Sequence, residues 1–129
     1  MSTAVDVLIV VDVEGALAAK NLNGNVYMVD TNKFFGSYTE GGEELVTTVS
    51  NGENIVWSIS PVDPATSVTI SGFNGNAIGQ QIAPVAQPDG SWFSQVSVPI
   101  NSSGTQYQYS VNLTFEGTTL GFDPFLQSQ

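Results

Sequence analysis

The segment that most constrains the fold is residues 5–13, the most apolar and most β-branched run in the chain. Side chains alternate across a strand, and every odd-numbered position of this run is apolar: Val5, Val7, Ile9, Val11 and Val13. The opposite face carries Leu8 and Val10 in its middle, with Asp6 and Asp12 near the two ends. A strand that is apolar on both faces is usually packed on both sides. The run therefore predicts the central strand of the core.

Turn residues divide the rest of the chain into short segments of strand character. We predict strands at residues 26–30, 45–49, 54–60, 66–73, 80–87, 92–99, 106–115 and 119–122. Residues 14–20 favour the only helix, and Asn23-Gly24 is expected to end it. The spacing predicts an all-β fold, an antiparallel, jelly-roll-like β-sandwich of about eight or nine strands with one short helix. We expect a single domain over residues 1–129.

Three local patterns make this prediction more specific. Residues 106–115 show the most regular alternation, which predicts one long strand with one face on the core. Trp57 shares a strand face with Ile55 and Ile59, so we expect it in the core rather than in a ligand site. Asn51-Gly52 lies between two predicted strands and indicates a hairpin turn.

The charge balance excludes several classes of function. Asp and Glu number 12 against two lysines, arginine, histidine and cysteine are absent, and the formal net charge is -10. Nucleic-acid binding needs a basic surface, so we expect none. Without His or Cys the chain has no Ser-His-Asp triad and no thiolate nucleophile, and we predict that it is not an enzyme. A pair of carboxylates that hydrolyses a glycosidic bond is the remaining catalytic alternative.

Carboxylates at strand ends raise the question of a cofactor. Calcium prefers oxygen ligands and accepts irregular loops, and four acidic residues lie at or just beyond predicted strand ends: Asp12, Glu14, Asp30 and Asp123. If these ends share one rim, the four could form a calcium site. The alternative is no cofactor, with solvated carboxylates and with Asp12 and Glu14 placed at the positive end of the helix.

The neutral polar surface suggests carbohydrate as a ligand class. Charged residues make up only 11% of the chain, well below the usual figure of about a quarter. The surface must therefore be built from Ser, Thr, Asn, Gln and Gly, whose groups can hydrogen-bond to sugar hydroxyls. Three places are candidate sites: Tyr38 with Glu40, Asp89 with Phe93, and Asn74 with Asn76. Ordinary loop structure is the alternative at each of them.

The N-terminal residues bear on the compartment. Residues 1–4 carry no positive charge ahead of the apolar run, and Asp6 interrupts that run, so no signal peptide is predicted. The run is also too short to span a bilayer. We expect a cytoplasmic protein without membrane insertion, and release by a non-classical route is the alternative.

Several segments resemble a known family. They are residues 6–12 (DVLIVVD), 25–32 (NVYMVDTN), 57–64 (WSISPVDP), 68–73 (VTISGF) and 121–125 (GFDPF). Together they resemble the AidA/PixA family of bacterial inclusion-body proteins, and the resemblance extends over nearly the whole chain. With only two methionines, Met1 and Met28, the sequence is closer to the AidA side than to the methionine-rich branch that forms inclusions.

The resemblance implies a function that composition and spacing do not provide. It implies a non-enzymatic accessory protein that is expressed under quorum sensing or in stationary phase and is linked to host association. It also implies self-association into a homo-oligomer. Phe34, Phe35 and Phe125 are candidates for an apolar contact patch, and the alternative is that Phe34 and Phe35 pack at the sandwich edge.

Overall fold

The computed structural model describes residues 4–22, 24–31, 45–99, 101–115 and 117–128. Within these ranges it contains one helix, α1 (Val13–Ala19), and eleven strands. The strands are β1 (Ala4–Val11), β2 (Val26–Asp30), β3 (Val46–Val49), β4 (Asn54–Pro61), β5 (Thr69–Asn74), β6 (Val85–Ala86), β7 (Trp92–Gln95), β8 (Gln106–Gln108), β9 (Ser110–Phe115), β10 (Thr118–Phe122) and β11 (Phe125–Ser128). The predicted all-β, sandwich-like fold with one short helix is confirmed.

The strands form three sheets. One has five strands in the order β2-β1-β4-β7-β6, and the other two have the orders β10-β9-β5 and β3-β11-β8. Most pairs are antiparallel, as predicted, but β1 pairs with β4 and β3 with β11 in parallel. Parallel neighbours require a long connection, and the β1–β4 connection contains α1, β2 and β3.

An aromatic cluster joins the sheets in the core. Trp57 of β4 lies 4.7 Å from Phe73 of β5 and 5.9 Å from Tyr109, measured between ring centroids. The Trp57 indole Nε1 donates a hydrogen bond of 3.1 Å to the Tyr109 hydroxyl. Both side chains are fully buried, which confirms that Trp57 belongs to the core. Burial raises the pKa of Tyr109, so its hydroxyl stays neutral.

The strand β1 follows the predicted alternation but not the predicted burial. Its inward face, Val5, Val7, Ile9 and Val11, is buried. On its other face Leu8 is 39% exposed and Asp6 is exposed. The expectation that both faces are packed is therefore wrong. The apolar composition of a strand does not determine whether a second layer covers it.

The helix begins at a capped end and stops earlier than predicted. Asp12 is its N-cap, and its Oδ1 accepts a hydrogen bond of 3.0 Å from the Gly15 N–H. Lys20 ends the helix with a left-handed φ of 58°. The helix therefore ends before Asn23-Gly24.

Two predictions about strand connections are wrong. Residues 106–115 form not one strand but two, because β8 pairs with β11 while β9 pairs with β5 and β10. Tyr109 lies at the crossing between these sheets. Asn51-Gly52 forms a turn but not a hairpin, because β3 and β4 belong to different sheets. In both cases the local sequence pattern is present, but the strands on either side pair with different partners in different sheets.

Candidate functional site

The outward side of the five-stranded sheet carries apolar side chains on each of its strands, and on β4 the serines Ser58 and Ser60 lie beside Leu8 and Val10. We call seven of the apolar residues the outer apolar face: Leu8, Val10, Tyr27, Val29, Val56, Val85 and Phe93. The antiparallel register sets Leu8 opposite Val29 and Val10 opposite Tyr27. Leu8, Val29 and Tyr27 are 39%, 41% and 46% exposed. Cross-strand neighbours of this kind touch each other and form a continuous surface.

A second row continues this surface across the sheet. Val56 of β4 lies beside Phe93 of β7, which in turn lies beside Val85 of β6. On the other side of Val56, the parallel pairing places Asp6 of β1. Paired residues point to the same side of a sheet, so the row runs along the outward face from Asp6 to Val85.

An open cleft lies on this face next to the turn that precedes β7. Its volume is about 570 Å³, and it is lined by Val56, Gln87, Pro88, Asp89, Ser91 and Phe93. The predicted pair of Asp89 and Phe93 is thus brought together in one cleft. A carboxylate, a neutral amide and an aromatic ring can bind a polar ligand that also has an apolar side.

The Asp89 carboxylate is held by its own turn. Its Oδ1 accepts hydrogen bonds from the Ser91 hydroxyl at 2.6 Å and from the Ser91 N–H at 3.0 Å. These bonds, first of all the one from the hydroxyl, hold the pKa of Asp89 below its usual value. The carboxylate is therefore ionised at neutral pH and presented to solvent.

Of the other two predicted carbohydrate pairs, only Asn74 with Asn76 lies within the described residues, and the structure does not place these two in the Asp89–Phe93 cleft. Asn74 lies on β5, and its Oδ1 accepts a hydrogen bond of 3.3 Å from Asn112 Nδ2. Asn76 lines a separate hollow beside β8. Tyr38 and Glu40 lie outside the described residues.

The four carboxylates proposed for calcium are not brought to one rim. Asp12 follows the end of β1, whereas Asp30 pairs with Val7 near the other end of the hairpin. Glu14 is exposed in the first turn of α1, and Asp123 accepts a hydrogen bond from Ser110 Oγ. Within the ranges that the structure describes, no three acidic side chains are grouped so that they could hold a metal ion.

Of the predicted phenylalanine patch, Phe125 lies within the described residues. Phe125 is half-buried in β11, between Val46 and Gln108 on the neighbouring strands. Phe34 and Phe35 lie outside the described residues. Among the described residues, the outer apolar face is an exposed apolar surface. Its signal in the sequence was the apolar composition of both faces of residues 5–13 and 26–30.

The outward side of the β10-β9-β5 sheet has the opposite chemistry. Side chains on its strands, and Asp123 just after β10, hydrogen-bond to one another in three pairs that we call the polar ladder: Ser110 with Asp123, Asn112 with Asn74, and Thr114 with Thr119. The Ser71 hydroxyl adds a bond of 3.0 Å to the Asn112 carbonyl. This side is suited to water contact without a cover.

A family model described as a domain of unknown function, DUF8788, matches residues 3–121. The chain belongs to this family. No curated protein matches the DUF8788 chain in sequence. Over the part of the chain that the structure describes, no helix has the length and hydropathy of a membrane span.

Solved structures add a comparison of folds. The DUF8788 chain is similar to the inclusion body protein PixA from Burkholderia cenocepacia J2315, with a TM-score of 0.71, 13% identity, and coverage of 100% of this chain and 97% of that one. It is also similar to a nucleoside hydrolase-related hypothetical protein from Saccharophagus degradans that is associated with carbohydrate metabolism. There the TM-score is 0.50 and the identity 14%, with coverage of 72% of this chain and 24% of that one.

These comparisons confirm one part of the expected resemblance. The fold is PixA-like. The matching sequence family is DUF8788, and no comparison supports the AidA side in particular. At 13% identity the likeness to PixA shows the fold alone.

Proposed function

We propose that this protein is a non-catalytic, PixA-like accessory protein that works by self-association through the outer apolar face. The observation that carries the proposal is the pairing of Leu8 with Val29 and of Val10 with Tyr27 on an uncovered sheet. Contiguous exposed apolar patches on soluble proteins mark interaction sites. The inclusion-body protein with the same fold suggests a second copy of the chain as the partner.

The size of the face is close to that of a small dimer contact. The five strands contain 27 residues, which at about 3.3 Å per residue and about 4.8 Å between strands give an area of roughly 430 Å². Two such faces would bury roughly 860 Å², somewhat below the lower limit of about 1,000 Å² for a specific interface. Contacts from neighbouring loops would add to this figure.

The charge of the chain favours the same surface. Each copy carries a net charge of -10, so two copies repel each other wherever carboxylates face carboxylates. Along the paired rows of the outer apolar face, Asp6 is the one carboxylate. Contact through these rows therefore brings few carboxylates together, namely Asp6 and the Asp89 of the adjoining cleft.

Sedimentation velocity over a range of concentrations tests the proposal. The wild-type chain should form a dimer or larger species in the micromolar range. Leu8→Asp combined with Val29→Asp places two charges in the proposed interface and should give a monomer. A strict monomer of the wild-type chain at high micromolar concentration would disprove self-association.

A matched control separates the face from general effects of added charge. Thr119→Asp adds a carboxylate to the exposed strand β10 in the polar ladder, and it should leave the oligomeric state unchanged. Thermal melting followed by circular dichroism checks that each variant is folded. If Thr119→Asp dissociates the oligomer as well, the interface is not the outer apolar face.

A second candidate function is carbohydrate binding, and the cleft shared by Asp89 and Phe93 favours it. A sugar ring would stack on Phe93 while its hydroxyls bond to Asp89 and Gln87. A glycan array with and without calcium tests this, with Phe93→Ala as the variant that should lose binding. Because the cleft lies on the outer apolar face, a sugar in it would compete with a second copy.

The remaining parts of the proposal rest on the sequence resemblance. We assign the protein to the cytoplasm, with release by a non-classical route as the alternative, and to quorum-sensing or stationary-phase expression linked to host association. Fractionation of producing cells and measurement of the protein through the growth curve test these assignments.

A further inference from the structure

A hollow lined mainly by neutral amides lies beside β8, away from the outer apolar face. Its volume is about 580 Å³. Five of its lining residues carry carboxamide side chains: Asn76, Gln80, Gln81, Gln106 and Gln108. Tyr107 and Ile78 supply its apolar surface. We call this place the amide hollow.

The loop that forms one wall of the hollow is firmly attached to the body of the protein. Ala77 and Ile82 are buried. The Ala77 N–H donates a hydrogen bond of 3.0 Å to the Gln108 carbonyl of β8. The Ser97 N–H donates one of 2.8 Å to the Gln81 carbonyl. These two hydrogen bonds fix the backbone of the loop, and its amide side chains project from that fixed backbone.

A glycine brings this wall close to the strands. Gly75 has a φ of 108°, and a Cβ added there would lie 3.0 Å from the Tyr109 Cα. An alanine would have to move the loop away from the β8–β9 crossing. The width of the hollow therefore depends on this glycine.

The amides of the hollow differ from the polar groups on the polar ladder. Among the described residues, the side chains of Asn76, Gln80, Gln81 and Gln108 make no hydrogen bond to protein. Each carboxamide has two N–H donors and one carbonyl acceptor. The hollow thus presents several donors and acceptors together, free to bind a ligand.

The chemistry of the lining indicates the class of ligand. The described residues that line the hollow include no carboxylate and no lysine, and a chain with a net charge of -10 repels anions. Sugar hydroxyls both donate and accept hydrogen bonds, as carboxamides do. The half-buried Tyr107 ring and Ile78 offer an apolar surface for the C–H side of a sugar ring. The volume lies within the usual range of about 300–1,000 Å³ for small-ligand sites.

We propose that the amide hollow binds a neutral saccharide. This site is separate from the Asp89–Phe93 cleft and from the outer apolar face, and it uses no carboxylate of its own. Binding is therefore independent of calcium. It also requires no self-association, so a strictly monomeric protein would leave this inference standing.

Titration of the ¹⁵N-labelled full chain by NMR tests the inference, with neutral disaccharides selected on a glycan array as the probes. At least one probe should shift the side-chain amide signals of Gln80, Gln81 and Gln108, and the shifts should reach a plateau as the probe concentration rises. Gln81→Ala combined with Gln108→Ala should weaken that binding by at least about tenfold. Chelation of divalent cations should not change it.

Two control variants make the result specific. Gln95→Ala removes an exposed glutamine of β7 outside the hollow and should retain full binding. Phe93→Ala alters the cleft and reports whether a bound sugar lies there rather than in the hollow. The inference fails if no neutral glycan shifts the hollow's amide signals. It also fails if Phe93→Ala abolishes binding while the double glutamine variant keeps it, because the site is then the cleft.

Discussion

The outer apolar face and the polar ladder are outward sides of two sheets built on the same alternation. In β1 and β9 every second side chain is buried, with Val5, Val7, Ile9 and Val11 in one and Val111, Leu113 and Phe115 in the other. Between these, β9 carries Ser110, Asn112 and Thr114, and each bonds to a side chain on a neighbouring segment. The outward residues of β1 include Leu8 and Val10, which face apolar residues of β2.

The difference indicates that the buried side chains hold these strands in the fold, whatever the chemistry of their outward side chains. The hydroxyl and amide groups of the polar ladder hydrogen-bond to one another and can also bond to water, so their exposure costs little free energy. Covering exposed apolar area is favourable by about 25 cal/mol of free energy per Å². The two faces therefore have the same backbone architecture but different consequences, and only the apolar one favours association.

The largest effect is expected in the core, which the two sheets share. Trp57→Ala removes a fully buried ring that contacts Phe73 and Tyr109, and should lower the free energy of unfolding by about 3–5 kcal/mol. Urea unfolding followed by circular dichroism measures it. A loss below about 1 kcal/mol would mean that the two sheets do not depend on a shared core.

The second-largest effect is expected when residues of the outer apolar face are replaced by hydroxyl residues like those of the polar ladder. Leu8→Thr, Val10→Thr, Tyr27→Thr and Val29→Thr together place β-branched strand formers at these positions while removing apolar area. Association measured by sedimentation should weaken by at least about thirtyfold, with the urea midpoint little changed. An unchanged oligomer would show that the contact lies elsewhere.

A third effect concerns charge. Raising the salt from about 0.05 M to about 0.5 M shortens the screening length from about 14 Å to about 4 Å. Because both copies are strongly negative, association should tighten several-fold as their repulsion is screened. Light scattering across the salt series measures this, and weaker association at high salt would instead indicate ion pairs across the contact.

The smallest effect is expected on the ladder itself. Thr119→Val removes one hydroxyl of the exposed pair with Thr114, whose oxygens are 3.0 Å apart, and should change the free energy of unfolding by no more than about 0.5 kcal/mol. Its oligomeric state should match that of the wild-type chain. New association of this variant would show that one exposed methyl group is enough to create a contact.

Local patterns predicted a large part of the fold and some of the site. The bounds of β2, the capped helix after β1 and the burial of Trp57 all follow from alternation and from turn or capping residues. Asp89 and Phe93 share a cleft because they are close in sequence, on a turn and on the strand that follows it. Such features depend on neighbours only a few residues away, so the sequence contains them directly.

Sheet membership was decided by the tertiary structure. Alternation continues from residue 106 to residue 115, yet β8 and β9 lie in different sheets because their partners come from distant segments. The four carboxylates of the hypothetical calcium site are not brought together, for the same reason. An antiparallel hairpin puts the end of β1 beside the start of β2, so Asp12 and Asp30 are separated along it.

Residues 5–13 show where the two contributions divide. The sequence by itself determined that this segment is a strand with Val5, Val7, Ile9 and Val11 on one side and Leu8 and Val10 on the other. Only the tertiary structure decided that the first side is buried and that Leu8 is exposed. The reason is physical: alternation follows from the backbone of one strand, whereas burial depends on whether another layer of the protein covers it.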